Sequence, residues 1–330
     1  MLVVAWSEAG AAAIRARAAA RAAAGGNAVR LASAAAPLTD PHALADILGR
    51  HRPAVCLVCA SAHAPSEAAN RPSAWTDLIA RARLGLTLPL QVGVAMATAR
   101  AVADRTPGTV VVNACFPDAV NPVLARLGLP VLAGIGNVGT IAAAAQAALG
   151  RPDQSGLRIL AHHSHLHGPP VGCPEVRGWR DGDPIQRIGR LLAEQRSASR
   201  SDLNGLAGAG GTALVNAVLT GADLDTHLPG PLGLPGGYPV SVRGARVGLR
   251  LPAGVSRSAA VSWNCEAGRY DGVELRPDGH LRFRGPTRAE LARHLPDLAD
   301  GFPVEQITAA ARALARLRDR LRRLPADAAG

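Results

Sequence analysis

The sequence predicts an α/β protein whose N-terminal part holds a parallel, doubly wound sheet, and three observations lead to this prediction. Apolar strands alternate with helical segments over roughly the first 120 residues. The strands are near-continuous apolar runs, as is typical of strands buried on both faces. The chain has 330 residues, 48% of them hydrophobic, which suffices for two domains with sizeable cores. We therefore expect an α/β domain over 1–120 and an α+β domain over 121–330.

The N-terminal part contains four apolar runs with the length of buried strands. They are LVVAW (2–6), AVRLAS (28–33), PAVCLVCAS (53–61) and TVVVNA (109–114). The helices predicted around them are 11–24, 39–51, 76–85 and 88–106. Gly25 follows the first helix as a stop, and Thr39 or Asp40 precedes the second as an N-cap. The polar, proline-broken stretch 63–75 has the composition of a functional loop.

The C-terminal part mixes helices with short alternating strands. Its predicted helices are 121–128, an Ala-rich helix after Asn137, 184–196, 203–221 and an arginine-rich amphipathic helix over 304–324. A strand beginning at Leu157 runs into four histidines, and 238–285 has the alternation and turn residues of an antiparallel meander. We expect the terminal helix to pack on its own domain.

The charge of +11 comes entirely from arginine, because the chain contains 36 basic residues and no lysine. With the excess of Ala, Gly and Pro, this indicates a compositional bias. Nucleic-acid binding requires clustered basic residues with stacking aromatics, and aromatic residues make up only 3% of the chain. We therefore expect no nucleic-acid partner.

Five cysteines, an odd number lying mostly in apolar runs, indicate reduced thiols in the cytoplasm. Cys56 and Cys59 form a C-x-x-C spacing, but in mid-strand they point to opposite faces, so we expect core residues there. No run reaches the ~18 apolar residues of a membrane span. The N-terminal residues lack a basic leader and a cleavage pattern, so we expect a cytoplasmic protein without a membrane partner.

Polar residues follow two of the apolar runs, and these are the candidates for chemistry. Asn113 ends TVVVN and His163 follows LRILAH, and in open α/β sheets the residues beyond strand ends contact ligands. Histidine changes charge near neutral pH and can pass a proton. If the strand continues, His163, His165 and His167 share one face and could bind zinc, which leaves a metal-dependent hydrolase or lyase as an alternative.

Three segments together resemble the lactate/malate dehydrogenase superfamily. NACFPDAVNPVLARLGLP, GIGNVGTIAAAAQAALG and LRILAHHSHLHGPPV are similar, in order and spacing, to the family's Asn-Pro-x-Asp segment, its following turn and helix, and its histidine-bearing strand. The resemblance implies a Rossmann-type domain that binds NAD or NADP. It also implies a small-molecule substrate, hydride transfer to or from a carbonyl or hydroxyl group, and a homo-oligomer.

Residue by residue, the resemblance implies a substrate site. His163 matches the proton-passing histidine and Asn113 the asparagine that touches nicotinamide and substrate. Arg71 resembles the arginine that closes over the substrate, and Thr212 falls near a threonine lining that site. Asn137 stands where the family has the carboxylate that orients the histidine, and it could do so by hydrogen bonding.

At the family's carboxylate-gripping arginine, this chain has Thr140, Ile141 and Ala142, none of which can form a forked pair. The substrate is therefore expected not to be a standard 2-oxo acid. On the cofactor side, the resemblance places Trp6 or Ser7 at the ribose-binding position. It also places the small residues Ala60 and Ser61, together with Asn113, beside the cofactor.

No G-x-G-x-x-G follows the first predicted strand, although dinucleotide binding uses those glycines. If LVVAW is the family's second strand, a βαβ piece of roughly 25–30 residues is missing. That strand lies in the middle of the 3-2-1-4-5-6 order, so unpaired backbone would flank a gap. The alternative is that LVVAW is a degenerate first strand and another strand is lost. A non-catalytic binding or scaffold protein with the dehydrogenase shape is a second functional hypothesis.

Overall fold

A computed structural model describes residues 1–326. Its strands are β1 Leu2–Ala5, β2 Ala32–Ala35, β3 Val55–Val58, β4 Val110–Asn113, β5 Ala133–Gly134, β6 Leu157–Leu160, β7 Arg177–Arg180, β8 Asp183–Pro184, β9 Asp223–Pro229, β10 Gly237–Arg243, β11 Arg246–Leu249, β12 Val273–Leu275, β13 His280–Phe283 and β14 Phe302–Pro303. Its helices are α1 Glu8–Ala24, α2 Pro41–His51, α3 Glu67–Asn70, α4 Ala74–Ala82, α5 Leu88–Arg105, α6 Pro117–Arg126, α7 Val138–Ala148, α8 Ile188–Leu191, α9 Ala193–Ser197, α10 Arg200–Thr220, α11 Arg257–Gly268, α12 Gly285–His294, α13 Pro296–Ala299 and α14 Ile307–Leu321.

The N-terminal strands are parallel, as the sequence predicts, but they form two separate pieces. One piece pairs β1 with β2, and the other has the order β3-β4-β5. The second strand begins at Ala32, four residues later than the sequence pattern suggested. Within residues 1–326, no pairing joins β1 to β3.

Helix α2 shows how local sequence fixes an element. The Asp40 side chain accepts a hydrogen bond from the His42 amide at 2.9 Å, and Pro41 occupies the first turn, where no backbone donor is needed. The buried face of α2 includes Leu44 and Leu48, and it packs on α5. This arrangement covers one side of the parallel strands.

Helix α5 is the central helix of the larger core. The segment Leu84–Arg105 is long and apolar enough to cross a membrane by length and mean hydropathy, although it contains no unbroken apolar run of ~18 residues. In this fold, however, 78% of its apolar window is buried inside the protein. The amphipathic helix α14 packs against α5 as expected, with Ile307, Leu314 and Leu317 buried.

The C-terminal part is built from antiparallel sheets, and two sequence expectations are corrected there. Strand β6, which the sequence analysis treated like a strand of an open α/β sheet, pairs antiparallel with β7. Ala161, just after β6, forms an antiparallel bridge with Gly237. The expected continuous meander over 238–285 is interrupted by α11. Ser256 caps that helix by accepting from the Ala259 amide at 3.1 Å, and the cap overrides the alternating pattern.

Candidate active site

Two neighbouring histidines share one buried carboxylate. Strand β6 ends at Leu160, and a 3-10 turn over His163–His165 follows. His163 Nδ1 lies 3.0 Å from Asp271 Oδ1, and His162 Nδ1 lies 3.0 Å from Asp271 Oδ2. The side chains of His162 and Asp271 are 4% and 7% exposed, whereas that of His163 is 22% exposed. One ring of the pair is therefore accessible to a ligand while the carboxylate that holds it is not.

Asp271 lies in a 3-10 turn, Arg269–Asp271, directly after α11. Gly272 follows with φ 90°, a backbone conformation that favours glycine, and this glycine lets the chain reverse beside the histidines. Sequence reasoning missed Asp271. The Asp-Gly dipeptide signals a turn, but no local pattern tells which distant group a turn will meet.

A second buried carboxylate, that of Asp118 in the first turn of α6, holds the loop backbone. Asp118 Oδ1 accepts a hydrogen bond from the His163 amide at 3.2 Å, and its Oδ2 accepts one from Asn137 Nδ2. The structure therefore places Asn137 on Asp118, and the partner of the His163 ring is Asp271. Asn137 supports the histidine loop through Asp118 rather than through the imidazole.

Two residues beside the Asp118 carboxylate have a strained backbone. Phe116 and Asn137 both have φ 44°, in the left-handed region that non-glycine residues rarely adopt. The Phe116 ring meets the His163 ring edge-on, with centroids 5.4 Å apart. The contact with the Phe116 ring helps to fix the position of the His163 imidazole.

Opposing effects set the charge states of His163 and Asp271. Burial would lower the pKa of His163, but the charge and hydrogen bond of Asp271, with the charge of Asp118, raise that pKa above its ordinary value. Burial would likewise raise the pKa of Asp271, but the two histidines lower it below its ordinary value. The ion pair between His163 and Asp271 is therefore favoured near neutral pH.

Arg200, the first residue of α10, is a cation beside this site that sequence reasoning missed. The segment before α10 packs on the histidine loop, because Gln195 Nε2 donates to the Leu166 carbonyl at 2.7 Å. The positive charge of Arg200 acts to lower the pKa values of His163 and of His63, which lies in the loop after β3. Within residues 1–326, no carboxylate forms a salt bridge with Arg200.

Asn113 ends β4 as predicted, but its amide groups are occupied. Asn113 is fully buried, and its Nδ2 donates to Cys115 O at 3.0 Å and to Asn121 Oδ1 at 2.9 Å. Its Oδ1 accepts from the Cys115 amide at 2.9 Å. Asn121 in turn donates to the Gly230 carbonyl at 3.0 Å. This network joins the end of β4 to the loop after β9.

The two residues assigned to the substrate by resemblance lie at exposed positions. Arg71 is exposed immediately after the short helix α3. Thr212 is exposed on α10, and its hydroxyl donates to the Gly208 carbonyl at 3.0 Å. No described contact joins either side chain to His163.

The positions assigned to the cofactor lie after β1 and β3. Trp6 is half-exposed, and Ser7 caps α1 by accepting from the Gly10 amide at 3.1 Å. Ser61 donates to the His63 carbonyl at 2.7 Å, and Ala60 lines a cavity that lies between β1 and β3. One of the amides at the end of α1 that a phosphate would approach, that of Gly10, is therefore already bonded to the Ser7 side chain.

The alternative metal site is not supported. His165 is fully buried, with Nδ1 2.8 Å from the His162 amide and Nε2 2.8 Å from the Pro174 carbonyl, so both ring nitrogens are used. The strand ends before His163, so His163, His165 and His167 do not share one strand face. Among residues 1–326, no group of three His, Cys, Asp or Glu side chains could hold a metal ion.

A cavity of about 530 Å³, a volume typical of small-molecule sites, adjoins Asp118 and His162. Its wall includes Phe116, Asp118 and His162 together with apolar side chains of α6, α11 and β12. The cavity thus borders on the site at Asp118 and His162, whereas His163 and Asp271 are not among its lining residues.

Comparisons with known proteins relate the fold to one group of enzymes. The structure is similar to the malate dehydrogenase from Aeropyrum pernix, with a TM-score of 0.50 and 13% sequence identity over 82% of this chain and 87% of that chain. It is also similar to the lactate dehydrogenase from Cryptosporidium parvum solved with lactic acid and nicotinamide adenine dinucleotide, with a TM-score of 0.47 and 15% identity over the same shares of the two chains. No family model and no curated protein matches the sequence. The chain therefore has a malate-dehydrogenase-like α/β fold.

Proposed function

We propose that this protein is a dehydrogenase-like oxidoreductase acting on a small carbonyl or hydroxyl compound, with His163 as its proton donor and acceptor. The observation that carries the proposal is the pairing of a partly exposed imidazole with a buried carboxylate, His163 with Asp271. The malate-dehydrogenase-like fold supports the reaction class. NAD or NADP is the proposed cofactor, and a substrate other than a standard 2-oxo acid is proposed because α7 carries no arginine.

Proton transfer at His163 follows from its hydrogen bonding. With Nδ1 donating to Asp271, Nε2 is the ring atom that gives or takes a proton. The buried carboxylate stabilises the imidazolium by charge, which an asparagine at that place could not do. The raised pKa of His163 favours the protonated ring, which can donate a proton to a carbonyl oxygen.

The chain as described does not fit a dinucleotide on its own. The turn after β1 carries Trp6 and Ser7, and the Ser7 side chain caps the helix amide that a pyrophosphate would use. Within residues 1–326, no strand pairs β1 with β3, and if β1 corresponds to the second strand of a doubly wound sheet, the strand before the dinucleotide-binding turn would lie between them. We therefore infer that residues 1–326 bind a nicotinamide cofactor weakly.

The test is consumption of millimolar NADH or NADPH with a panel of small aldehydes, ketones and oxo acids, because a high cofactor concentration compensates for weak binding. His163→Gln should lower kcat/KM about 100-fold or more, the usual contribution of a positioned acid–base group. His167→Gln, at an exposed histidine four residues on, should retain the wild-type rate. Equal rates in the two variants, or no turnover of any compound, would contradict the proposal.

A non-catalytic binding protein with this fold is the second candidate, and the misfit of the turn after β1 to a pyrophosphate favours it. Calorimetric titration separates the two candidates. If the protein binds members of the substrate panel but never consumes cofactor, it is a non-catalytic binding protein.

A further inference from the structure

The cavity of about 530 Å³ beside Asp118 and His162 is lined by residues of α6, α11 and β12. Most of its wall is apolar, including the side chains of Leu88, Phe116, Val261, Val273 and Leu275. A cavity with an apolar wall and a few polar groups is the usual form of a small-molecule site. The polar groups therefore decide what kind of compound this cavity holds.

Three polar side chains of the wall are almost completely buried, namely those of Asp118, His162 and Asn264. Asn264, on α11, uses Nδ2 to donate a hydrogen bond to the Gly237 carbonyl at 3.2 Å. Its Oδ1 has no hydrogen-bond partner within residues 1–326. A buried acceptor without a partner is unfavourable, so this oxygen is open to a donor from a ligand.

His162 offers a second acceptor. Its Nδ1 lies 3.0 Å from Asp271 Oδ2, so the neutral ring carries its proton on Nδ1 and leaves the lone pair of Nε2 open. The other hydrogen bonds of His162 are made by its backbone, whose amide and carbonyl contact His165. Gly268 leaves space beside the ring, because a Cβ at that position would lie 3.1 Å from Nε2.

Asp118 adds a negative charge to the same wall. Its two oxygens accept from the His163 amide and from Asn137 Nδ2, and a carboxylate has room for further donors. Among residues 1–326, no basic side chain forms a salt bridge with Asp118. Its charge is therefore available to a cation in the cavity.

The arginines of the wall lie at exposed positions and already have partners. Arg126 donates to the Asp278 carbonyl at 3.2 Å, and Arg276 lies 3.4 Å from the Asp278 carboxylate. Glu274, the other acidic residue of the wall, is paired with Arg284 at 2.8 Å. The three buried polar side chains therefore present acceptors and one negative charge.

We propose that this cavity binds an apolar compound that carries a primary ammonium group, with the ammonium against Asp118, His162 and Asn264. An ammonium has three donors and no acceptor, which matches the three acceptors of the wall. Its charge also pairs with the Asp118 carboxylate, and charge-assisted hydrogen bonds are stronger than neutral ones. An alcohol supplies one donor and no charge, and a carboxylate is repelled by Asp118.

The net charge of the chain makes this preference diagnostic. At +11, nonspecific attraction favours anions over ammonium compounds. A preference for an amine therefore has to come from a local site. The proposal goes beyond the proposed function, because His163 does not line the cavity and ligand binding is measured without cofactor.

The test is calorimetric titration of the full chain with 2-phenylethylamine, 2-phenylethanol and phenylacetate, which share an apolar ring and differ in the polar end. We expect saturable binding of the amine and at least about tenfold weaker binding of the alcohol. Phenylacetate should not bind over the same concentration range. The side-chain ¹⁵N signals of His162 should shift when the amine binds, because Nε2 then receives a donor.

Two variants alter the cavity in different ways. Ala119→Leu fills part of it from α6 without removing a hydrogen bond, and Asn264→Leu removes the open acceptor. Each should weaken binding of 2-phenylethylamine at least about tenfold. Ala289→Leu is the matched control, since Ala289 is exposed in α12 and does not line the cavity, and it should bind as the wild type does. Circular dichroism confirms that the variants fold.

Several results would overturn the proposal. They are the absence of saturable amine binding, and an affinity for 2-phenylethanol or phenylacetate equal to that for the amine. Equal affinity of Ala119→Leu and Ala289→Leu, or amine binding without a shift of the His162 signals, would place the amine elsewhere and overturn it as well. NADH consumption tests the proposed function separately, so each of the two ideas fails on its own measurement.

Discussion

His163 and Asp271 are 108 residues apart in the sequence, yet Nδ1 of one lies 3.0 Å from Oδ1 of the other. The carboxylate is buried and also contacts His162, so it holds two adjacent rings at once. A carboxylate shared in this way fixes the orientation of the exposed ring and stabilises its protonated form. The acid–base properties of the site therefore depend on a residue from the far end of the chain.

Replacing Asp271 with asparagine should lower the pKa of His163. The substitution keeps the shape of the side chain but removes the charge that raises the pKa of the imidazole. NMR titration of the His163 ring protons measures this shift directly. Any cofactor-dependent turnover should fall about 100-fold or more in the same variant.

Glu266→Gln is the control for this change, since Glu266 is an exposed carboxylate in α11 that pairs with Arg269. It should leave the His163 titration as in the wild type. An unchanged pKa of His163 in Asp271→Asn would show that the pairing does not control the ring.

Replacing Arg200 with glutamine should raise the pKa of His163. The guanidinium at the start of α10 opposes protonation of the ring, and removing its charge relieves that repulsion. The same NMR titration measures the result. Arg246→Gln removes an equal charge from the exposed hairpin strand β11 and should have no effect on His163. A fall in the pKa of His163 in Arg200→Gln would show that Arg200 favours protonation of the ring and does not oppose it.

The sequence could predict the features that depend on neighbouring residues. Helix α2 begins at Pro41 behind the Asp40 cap, and β4 ends at Asn113, as local patterns indicated. The parallel pairing of β1 with β2 and of β3 with β4 was predicted as well, from the alternation of apolar strands with helices. These features follow from periodicity, caps and strand order.

The pairings that form the candidate site could not be predicted in this way. Asp271 reaches His163 only because α11 interrupts the expected meander and turns at Gly272. Asn137 was expected to orient the ring, but its nearest carboxylate is Asp118, nineteen residues before it. Contacts between distant segments depend on tertiary packing, which no local pattern contains.

Replacing Asn113 with alanine should destabilise the protein by about 1–3 kcal/mol. The substitution leaves the Cys115 amide and the Asn121 carbonyl oxygen without their partner in a buried environment. Urea unfolding measures the free energy of unfolding. Thr212→Val, at an exposed helix position, should change it by no more than about 0.5 kcal/mol. Equal stability of Asn113→Ala and the wild type would point to a ligand-binding role for Asn113 instead.

His227 should make the free energy of unfolding fall as the pH falls below about 6.5. Burial lowers its pKa to about 3, and its ring is held neutral, with Nε2 accepting from the Ile159 amide at 2.9 Å and Nδ1 2.7 Å from Gln154 Oε1. The unfolded chain takes up a proton at the ordinary histidine pKa while the folded chain does not. The unfolded state therefore gains stability at acid pH, by roughly 1.4 kcal/mol per pH unit between about pH 6 and pH 4.

His227→Gln isolates this effect, because glutamine can donate and accept hydrogen bonds without titrating. The difference in free energy of unfolding between the wild type and His227→Gln, measured by urea unfolding from about pH 7 to pH 4, should shift against the wild type as the pH falls. His42→Gln, at an exposed position in α2, should show no such trend. His63 is also buried, with a pKa lowered to about 4, and because it is present in all three proteins its contribution cancels in the comparison. A pH-independent difference between the wild type and His227→Gln would mean that His227 takes up a proton as readily in the folded chain as in the unfolded chain, so that the hydrogen bond from the Ile159 amide does not keep the ring neutral.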